Sequence, residues 1–194
     1  MHQCMIGVPK EVKVREGRVG ITPDGIRDLR ALGIKIGVER DAGTLSGFSD
    51  GDYLSAGALI YLSTEKLYCE ADVIVKVKEP TPEEYPLLEL LRGKMVFTYL
   101  HLAGGHPELT KLLLRHEVVA IAYENVSRTV DGRATFPLLA PMSKIAGTQA
   151  LREALKRHPN WHPSAREVII LGGGVVGEAA LNEAQRSGVG SISV

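Results

Sequence analysis

A glycine-rich turn lies between an apolar run and a helix-forming segment near the end of this 194-residue chain. Gly172, Gly174 and Gly177 follow the spacing G-x-G-x-x-G, and residues 168–171, Val-Ile-Ile-Leu, predict a strand buried on both faces. Residues 178–187 favour a helix. In this order the glycines are typical of a dinucleotide site, because the backbone can approach a pyrophosphate and the helix N-terminus offers free N–H groups. The alternative is a tight turn that binds nothing.

Arg18, Lys78 and His101 are the side chains best suited to act on a small oxo acid beside such a cofactor. An arginine binds a carboxylate through two hydrogen bonds, a lysine ammonium steadies charge on a carbonyl oxygen, and a histidine transfers a proton near neutral pH. Each also has a simpler explanation. Arg18 is one of many charges in the loop 9–20, Lys78 follows an apolar strand, and His101 sits at a strand end. Lys76 would share a face with Lys78 in a regular strand, so spacing does not separate the two lysines.

The elements that must position these residues alternate along the chain with short connections. Strands are predicted at residues 5–8, 35–39, 58–62, 72–77, 94–100, 118–122, 168–171 and 191–194, and helices at 23–32, 50–56, 64–68, 82–92, 107–116, 143–157 and 178–187. This alternation predicts an α/β fold with a parallel sheet covered on both sides. Ligands of such sheets bind beyond the carboxyl ends of the strands, where Arg18, Lys78 and His101 are expected to converge.

A change of composition between residues 125 and 141 divides the predicted fold. Residues 1–128 are predicted to form a Rossmann-like, parallel-sheet lobe that carries the substrate site. Residues 129–194 are predicted to form a linking helix, capped by Ser143, and the beginning of a dinucleotide-binding Rossmann domain. The acidic residue that binds the ribose is expected at the end of the strand 191–194, where the sequence stops. We therefore expect the chain to be cut within this domain.

The composition excludes several classes of partner. Lys plus Arg equal Asp plus Glu at 23 each, so the charge indicates neither nucleic acid nor an anionic membrane. No apolar run is long enough to span a bilayer, and the first residues lack the features of a signal peptide. Cys4 and Cys69 indicate a reducing compartment and are interpreted as small packing residues. No spacing of His, Cys, Asp and Glu matches a zinc site, so no metal is predicted.

A series of short motifs, taken in order, resembles one enzyme family, alanine dehydrogenase and its relative the NAD(P) transhydrogenase α subunit. The match covers nearly all of the chain to about residue 147 and resumes at Val168. The motifs are Ile6-Gly-Val-Pro-Lys-Glu11, Arg18-Val-Gly-Ile-Thr-Pro23, Lys76-Val-Lys-Glu-Pro80, Phe97-Thr-Tyr-Leu-His-Leu102, Ala122-Tyr-Glu124 and Pro137-Leu-Leu-Ala-Pro-Met-Ser143. The first of them and the His-Leu segment resemble alanine dehydrogenase more than transhydrogenase.

The resemblance implies a function and roles for the residues at matching positions. The reaction is the reversible oxidative deamination of L-alanine to pyruvate and ammonium with NAD. Arg18 and Lys78 bind the substrate carboxylate and carbonyl, which selects Lys78 over Lys76, and His101 is a catalytic acid/base or orients the substrate. Ser143 lies by the nucleotide. The predicted cofactor site also holds the glycine turn with the two valines inside it, Gly172, Gly174, Val175, Val176 and Gly177. Members are typically cytoplasmic homo-oligomers, often hexamers.

Two departures from the family keep other functions open. The connection 148–166 is shorter than the glycine-rich segment usual in the family, and the family's catalytic aspartate and ribose-binding acid lie beyond the last residue. We therefore expect the 194-residue chain to lack full activity alone, and steady alanine-dependent NAD reduction by it would contradict this expectation. The alternatives are a catalytically silent nucleotide-binding or assembly module and a transhydrogenase α-like subunit.

Overall fold

The computed structural model describes residues 3–157 and 167–194. The chain divides into two compact units, residues 1–125 and 126–194. The predicted connector around Trp161, with its flanking prolines and the histidines His158 and His162, lies outside the described residues. Within the part that is described, no helix combines the length and the apolar character needed to cross a membrane.

The first unit contains a six-stranded parallel sheet, which confirms the predicted α/β class. The strands are β1 (Met5–Val8), β2 (Lys35–Glu39), β3 (Leu59–Tyr61), β4 (Val73–Val75), β5 (Met95–Thr98) and β6 (Val119–Ala122). Their spatial order is β3-β2-β1-β4-β5-β6. This is the order of a Rossmann-like, doubly wound sheet, in which the chain reverses its direction of winding between β1 and β4. The carboxyl ends of those two strands therefore border a crevice where such folds bind ligands.

The helices of the first unit begin where the sequence supplies caps. They are α1 (Pro23–Ala31), α2 (Asp50–Ser55), α3 (Thr64–Glu70) and α4 (Pro107–Arg115), with short 3-10 segments at Thr44–Ser46, Leu102–Gly104 and Tyr123–Asn125. The Thr22 hydroxyl accepts from the Gly25 backbone N–H. Pro23 is tolerated as the first residue of α1, because an N–H at that position has no acceptor within the helix. Ser49 caps α2 through a capping box with Asp52.

The segment Pro82–Leu91 is helical as predicted, but it is a 3-10 helix and not an α-helix. Its beginning is a capping box, in which the Thr81 backbone N–H donates to Glu84 Oε2 at 2.9 Å. Pro86 lies inside the helix and has no N–H to donate, so a continuous α-helical ladder is interrupted there. Leu88 and Leu91 still reach the core of the sheet, beside Ile74.

The second unit contains the glycine turn between a strand and a helix. Its elements are the hairpin β7 (Arg128–Val130) and β8 (Arg133–Thr135), helix α5 (Leu139–Arg157), strand β9 (Glu167–Ile169), helix α6 (Val175–Arg186) and strand β10 (Ser191–Ser193). Strands β9 and β10 pair in parallel. Asp131 and Gly132 both have positive φ, 50° and 74°, which suits the tight turn that joins β7 to β8.

Several local predictions for the second unit are wrong. Ser143 does not cap the linking helix, because α5 begins at Leu139 and Ser143 lies in its second turn. The strand before the glycines is not buried on both faces, since Ile169 is 66% exposed and Leu171 is 93% exposed. An apolar run does not reveal which elements cover it, and β9 pairs with one strand in the described residues.

In the first unit, the prediction for the two cysteines is wrong, since Cys4 and Cys69 are exposed thiols and not packing residues.

Candidate active site

The three predicted substrate residues follow the carboxyl ends of neighbouring strands in the first unit. Arg18 lies in the loop between β1 and α1, Lys78 comes three residues after β4, and His101 comes three residues after β5. Because β1, β4 and β5 are adjacent in a parallel sheet, all three positions lie along one edge. The order of the strands therefore places the three residues at the same edge of the sheet, which the sequence alone could only suggest.

Arg18 is held in place by Glu16, two residues earlier in the same loop. The guanidinium donates from Nε to Glu16 Oε1 at 2.8 Å and from Nη2 to Oε2 at 2.6 Å. The Glu16 side chain is nearly buried and that of Arg18 is half-exposed. Hydrogen bonds from Arg18 hold the pKa of the Glu16 carboxyl below its ordinary value. A bidentate pair of this kind fixes the plane of the guanidinium.

Two side chains, Glu16 and Tyr99, each interact with Arg18 and with one of the other two predicted substrate residues. The Lys78 charge also contributes to the lowered pKa of Glu16, after the larger effect of Arg18. Burial raises the pKa of the Tyr99 hydroxyl and the Arg18 charge acts against that shift, so the guanidinium and the phenol are close. The Tyr99 ring stacks on the His101 imidazole, with 5.7 Å between centroids and 7° between planes. Glu16 thus bonds to Arg18 and interacts electrostatically with Lys78, while Tyr99 stacks on His101 and interacts electrostatically with Arg18.

The backbone of His101 adopts a left-handed conformation, with φ 47° and ψ 33°. Non-glycine residues reach this region at a cost, so it needs support from its surroundings. Glu124, after β6, provides it: the backbone N–H groups of His101 and Leu100 donate to Glu124 Oε1 at 2.6 and 3.2 Å. His101 Nδ1 lies 3.8 Å from the same oxygen. His101 and Glu124 also line a cavity of about 300 Å³, whose lining includes neither Arg18 nor Lys78.

Replacing Glu124 with alanine should release the turn that presents His101. The loss of hydrogen bonds to a charged acceptor is expected to destabilise the first unit by about 1.5–3 kcal/mol. Urea unfolding followed by tyrosine absorbance measures this, because all six tyrosines lie in residues 1–125. Glu124→Gln keeps one acceptor oxygen and should cost less. Equal losses in the two variants would contradict a role in accepting these backbone hydrogen bonds.

The structure separates the two lysines that the spacing left together. Lys76 is fully buried, and its Nζ lies 2.6 Å from Glu84 Oε1 and 3.5 Å from Glu11 Oε2. Lys78 is partly exposed, because the strand ends at Val75 and the chain bends at residues 77 and 78. The geometry makes Lys76 part of the interior and leaves Lys78 accessible to a ligand.

Three acidic residues of this region were not recognised from the sequence. In the sequence Glu11 and Glu16 are two of the many charges in the loop 9–20, but Glu11 is buried and the Glu16 side chain is nearly buried. Glu124 was noted only as part of a motif. A usable signal was present for Glu124, since it comes two residues after β6, and β6 is the neighbour of β5, which precedes His101. No local pattern marks Glu11, because its partners lie far along the chain.

The glycine turn of the second unit has the backbone features of a phosphate-binding turn. Gly172 has φ 106°, a conformation that L side chains rarely adopt, and a Cβ on Gly177 would overlap the Gly172 carbonyl oxygen. A Cβ on Gly174 would meet nothing within 4 Å, so that side of the turn is open. Gly174 is the N-cap of α6 and no side chain caps the helix. The first N–H groups of α6 are therefore available to an anion.

The other residues predicted to bind the cofactor lie around the start of α6. Val175 and Val176 form its first turn and are exposed. A Cβ on Gly147 would overlap the Val176 carbonyl oxygen, so α5 and α6 pack closely there. Ser143 lies one helical turn before Gly147 and thus on the same face of α5. In the described residues, no three His, Cys, Asp or Glu side chains group so that they could hold a metal ion.

Comparison with known proteins gives one consistent family. Residues 7–146 match the model of the alanine dehydrogenase/PNT N-terminal domain. The chain is 40% identical over 190 residues to an alanine dehydrogenase of Methanococcus maripaludis, and 43% identical over 188 residues to one of Bacillus subtilis. Each alignment covers 91% of this chain, but 49% and 48% of the relatives. The chain spans about half the length of the curated relatives it matches.

Solved structures agree with this result. The chain superposes on an L-alanine dehydrogenase with a TM-score of 0.80 at 38% identity, covering 95% of this chain and 53% of that one. It superposes on a transhydrogenase from Sinorhizobium meliloti with a TM-score of 0.77 at 26% identity, covering 95% of this chain and 54% of that one. The fold is therefore common to both kinds of protein, and the sequence is more similar to the first.

Proposed function

Because the chain belongs to the alanine dehydrogenase/PNT N-terminal domain family, we propose that it carries the substrate site of an NAD-dependent alanine dehydrogenase. The reaction is the reversible oxidative deamination of L-alanine, in which alanine, water and NAD⁺ give pyruvate, ammonium, NADH and a proton. In this proposal residues 1–128 form the substrate lobe, and residues 129–194 form the linking helix and the beginning of the NAD-binding domain. By the same relation we propose a cytoplasmic homo-oligomer.

The observation that carries the proposal is the placement of Arg18, Lys78 and His101 after the carboxyl ends of the adjacent parallel strands β1, β4 and β5. A substrate with a carboxylate next to a carbonyl needs a planar cation for the first group and a hydrogen-bond donor for the second. Arg18, already oriented by Glu16, binds the carboxylate. Lys78 donates to the carbonyl oxygen and stabilises negative charge there. His101 exchanges the proton that accompanies the change between amine and carbonyl.

The second unit fits the cofactor that this reaction needs. Bound NAD supplies the hydride acceptor for alanine oxidation. The open side of Gly174 and the uncapped N–H groups of α6 would hold the pyrophosphate, with Val175, Val176 and Gly177 forming the first helical turn. Ser143 shares a face of α5 with Gly147, which packs against this turn, and this supports its proposed place by the nucleotide.

The test is to titrate the purified 194-residue chain with pyruvate and, separately, with NADH in a calorimeter. We expect both to bind, and we expect acetate, which has a carboxylate but no adjacent carbonyl, to bind more weakly than pyruvate. An assay for alanine-dependent reduction of NAD on the same sample measures turnover. The absence of pyruvate binding in a folded chain would count against the substrate site.

A second candidate function is a transhydrogenase-like subunit, favoured by the structural similarity to the Sinorhizobium meliloti protein. This candidate predicts that NADH binds and that pyruvate does not. Activity that requires a membrane partner would support it. Nucleotide binding with neither pyruvate binding nor such a requirement would instead support a silent binding module.

Replacing Gly177 with alanine should weaken NADH binding. The added methyl group overlaps the Gly172 carbonyl oxygen, so the turn must open and the N–H groups of α6 move. Overpacking of this kind costs about 1–3 kcal/mol, which corresponds to roughly a tenfold loss if it falls on the bound state. Gly173→Ala is the matched control, because a Cβ there meets nothing within 4 Å. Unchanged NADH affinity in Gly177→Ala would contradict the proposed nucleotide site.

A further inference from the structure

A buried group of three charges lies beneath the segment that carries Lys78. The group consists of Lys76 at the end of β4, Glu11 in the loop after β1, and Glu84 in the first turn of the 3-10 helix. The Lys76 side chain is fully buried, and those of Glu11 and Glu84 are 2% and 7% exposed. Charges this deep in a protein are expensive unless each is paired and hydrogen-bonded. The position and partners of each carboxylate oxygen therefore matter.

Glu11 uses one of its oxygens for a purpose other than pairing with Lys76. Its Oε1 accepts from the Val77 backbone N–H at 2.6 Å. Burial raises the pKa of the Glu11 carboxyl, while Lys76 and the nearby backbone N–H groups of Val77 and Lys78 act against that shift. Val77 and Lys78 lie where the chain bends out of the sheet after β4, so neighbouring strands no longer supply acceptors for their N–H groups. Glu11 replaces those acceptors. Glu11 thus holds the backbone at Val77, which is directly followed by Lys78.

Lys76 lies between the two carboxylates of the group. Lys76 Nζ lies 3.5 Å from Glu11 Oε2, and Glu84 holds the other side of Lys76 at 2.6 Å. Two carboxylates face one ammonium, which leaves excess negative charge to attract the backbone N–H dipoles of residues 77 and 78. The segment from Lys76 to Thr81 is fixed at both ends, because Thr81 is bonded to Glu84.

We propose that Glu11 is a positioning residue, whose carboxylate fixes the backbone at Val77, next to Lys78, and so directs the Lys78 ammonium toward the substrate. This inference rests on the proposed role of Lys78 in binding pyruvate. Glu11 itself touches no substrate. Its effect is geometric, and it differs from that of Glu84, which shares the pairing with Lys76 but makes no contact with the backbone of Val77.

Pyruvate affinity and amide exchange, measured in three variants, distinguish positioning of the backbone from neutralisation of the Lys76 charge. The variants are Glu11→Ala, Glu11→Gln and Glu84→Gln, each made in the 194-residue chain. Glu11→Gln keeps the side-chain length and an acceptor oxygen. Glu84→Gln removes one of the two negative charges that face Lys76 and leaves the hydrogen bond from Val77 to Glu11 intact. Pyruvate affinity is measured by calorimetry and exchange of the Val77 and Lys78 amide protons by NMR. NADH affinity serves as the control for folding of the second unit.

We expect Glu11→Ala to weaken pyruvate binding roughly tenfold, the scale of a loss when a binding group shifts by part of an ångström. Exchange of the Val77 amide should accelerate in the same variant. Glu11→Gln should lose less of both, and it decides the matter if Glu11→Ala does not fold. Glu84→Gln should lower stability while leaving pyruvate affinity and Val77 exchange close to those of the wild type.

Equal loss of pyruvate affinity in the Glu11 and Glu84 variants would overturn the proposal, because it would show that neutralising Lys76 is the whole effect. Unchanged Val77 exchange in Glu11→Gln and Glu11→Ala would overturn it as well. If the wild-type chain binds no pyruvate, the proposed function fails by itself. Amide exchange at residues 77 and 78 still decides whether Glu11 fixes this backbone.

Discussion

Replacing Arg18 with alanine is expected to weaken pyruvate binding by about 3 kcal/mol, or about 100-fold in affinity, because two charge-assisted hydrogen bonds are lost. NADH affinity should change little, since the proposed nucleotide site lies in the other unit. Calorimetric titration of one sample with both ligands measures the two effects. Arg18→Lys keeps the charge but not the planar fork, and it should fall between the wild type and the alanine variant.

Arg40 provides a matched control for Arg18. It is also an exposed arginine that follows the carboxyl end of a strand, β2, and its nearest ion pair is a 3.9 Å contact with Asp41. Arg40→Ala should leave both affinities unchanged. If Arg18→Ala weakened pyruvate and NADH binding equally, the specific contact with the carboxylate would be refuted, and a general loss of structure would explain the result.

Lys76→Met is expected to destabilise the first unit by about 3–5 kcal/mol, because it leaves two buried carboxylates without their shared cation. The side chains of Glu11 and Glu84 are almost completely buried, so water does not replace the lost ammonium. Urea unfolding followed by tyrosine absorbance reports on this unit, which contains every tyrosine of the chain. Protonation of a carboxylate at low pH should recover part of the loss.

Lys66 and Lys78 serve as controls for Lys76. Lys66 forms an exposed ion pair with Glu70, with side chains 69% and 42% exposed, and Lys66→Met should cost less than about 1 kcal/mol. Lys78→Met should also leave stability nearly unchanged but weaken pyruvate binding. The interpretation would be wrong if Lys78→Met destabilised the unit as strongly as Lys76→Met, because the two lysines would then not differ in role.

Local signals in the sequence predicted most of the elements correctly. Thr22 and Pro23 mark the start of α1, Ser49 marks α2, and short apolar runs mark the six strands of the sheet. These signals act between residues a few positions apart, so the fold does not alter them. Two predictions of this kind are wrong: Pro86 interrupts the helix at 82–91 from within, and α5 begins four residues before Ser143.

The candidate site was predictable in its residues but not in its geometry. Arg18, Lys78 and His101 were identified by residue type and by their position after predicted strands. The order of the strands placed them along one edge, and strand order is not encoded in any local pattern. The left-handed backbone at His101 likewise depends on the hydrogen bond that its N–H donates to Glu124, two residues after β6.

The sequence by itself determined the alternation of strands and helices, the α/β class and the position of the glycine turn, because each depends on neighbouring residues along the chain. Only the tertiary structure decided which charges are buried. Glu11 and Val77 lie 66 positions apart, yet they share a hydrogen bond beneath Lys78. Burial depends on how the sheet and its loops pack. Lys76, inside the protein, and Lys78, partly exposed, therefore differ although they are two residues apart after β4.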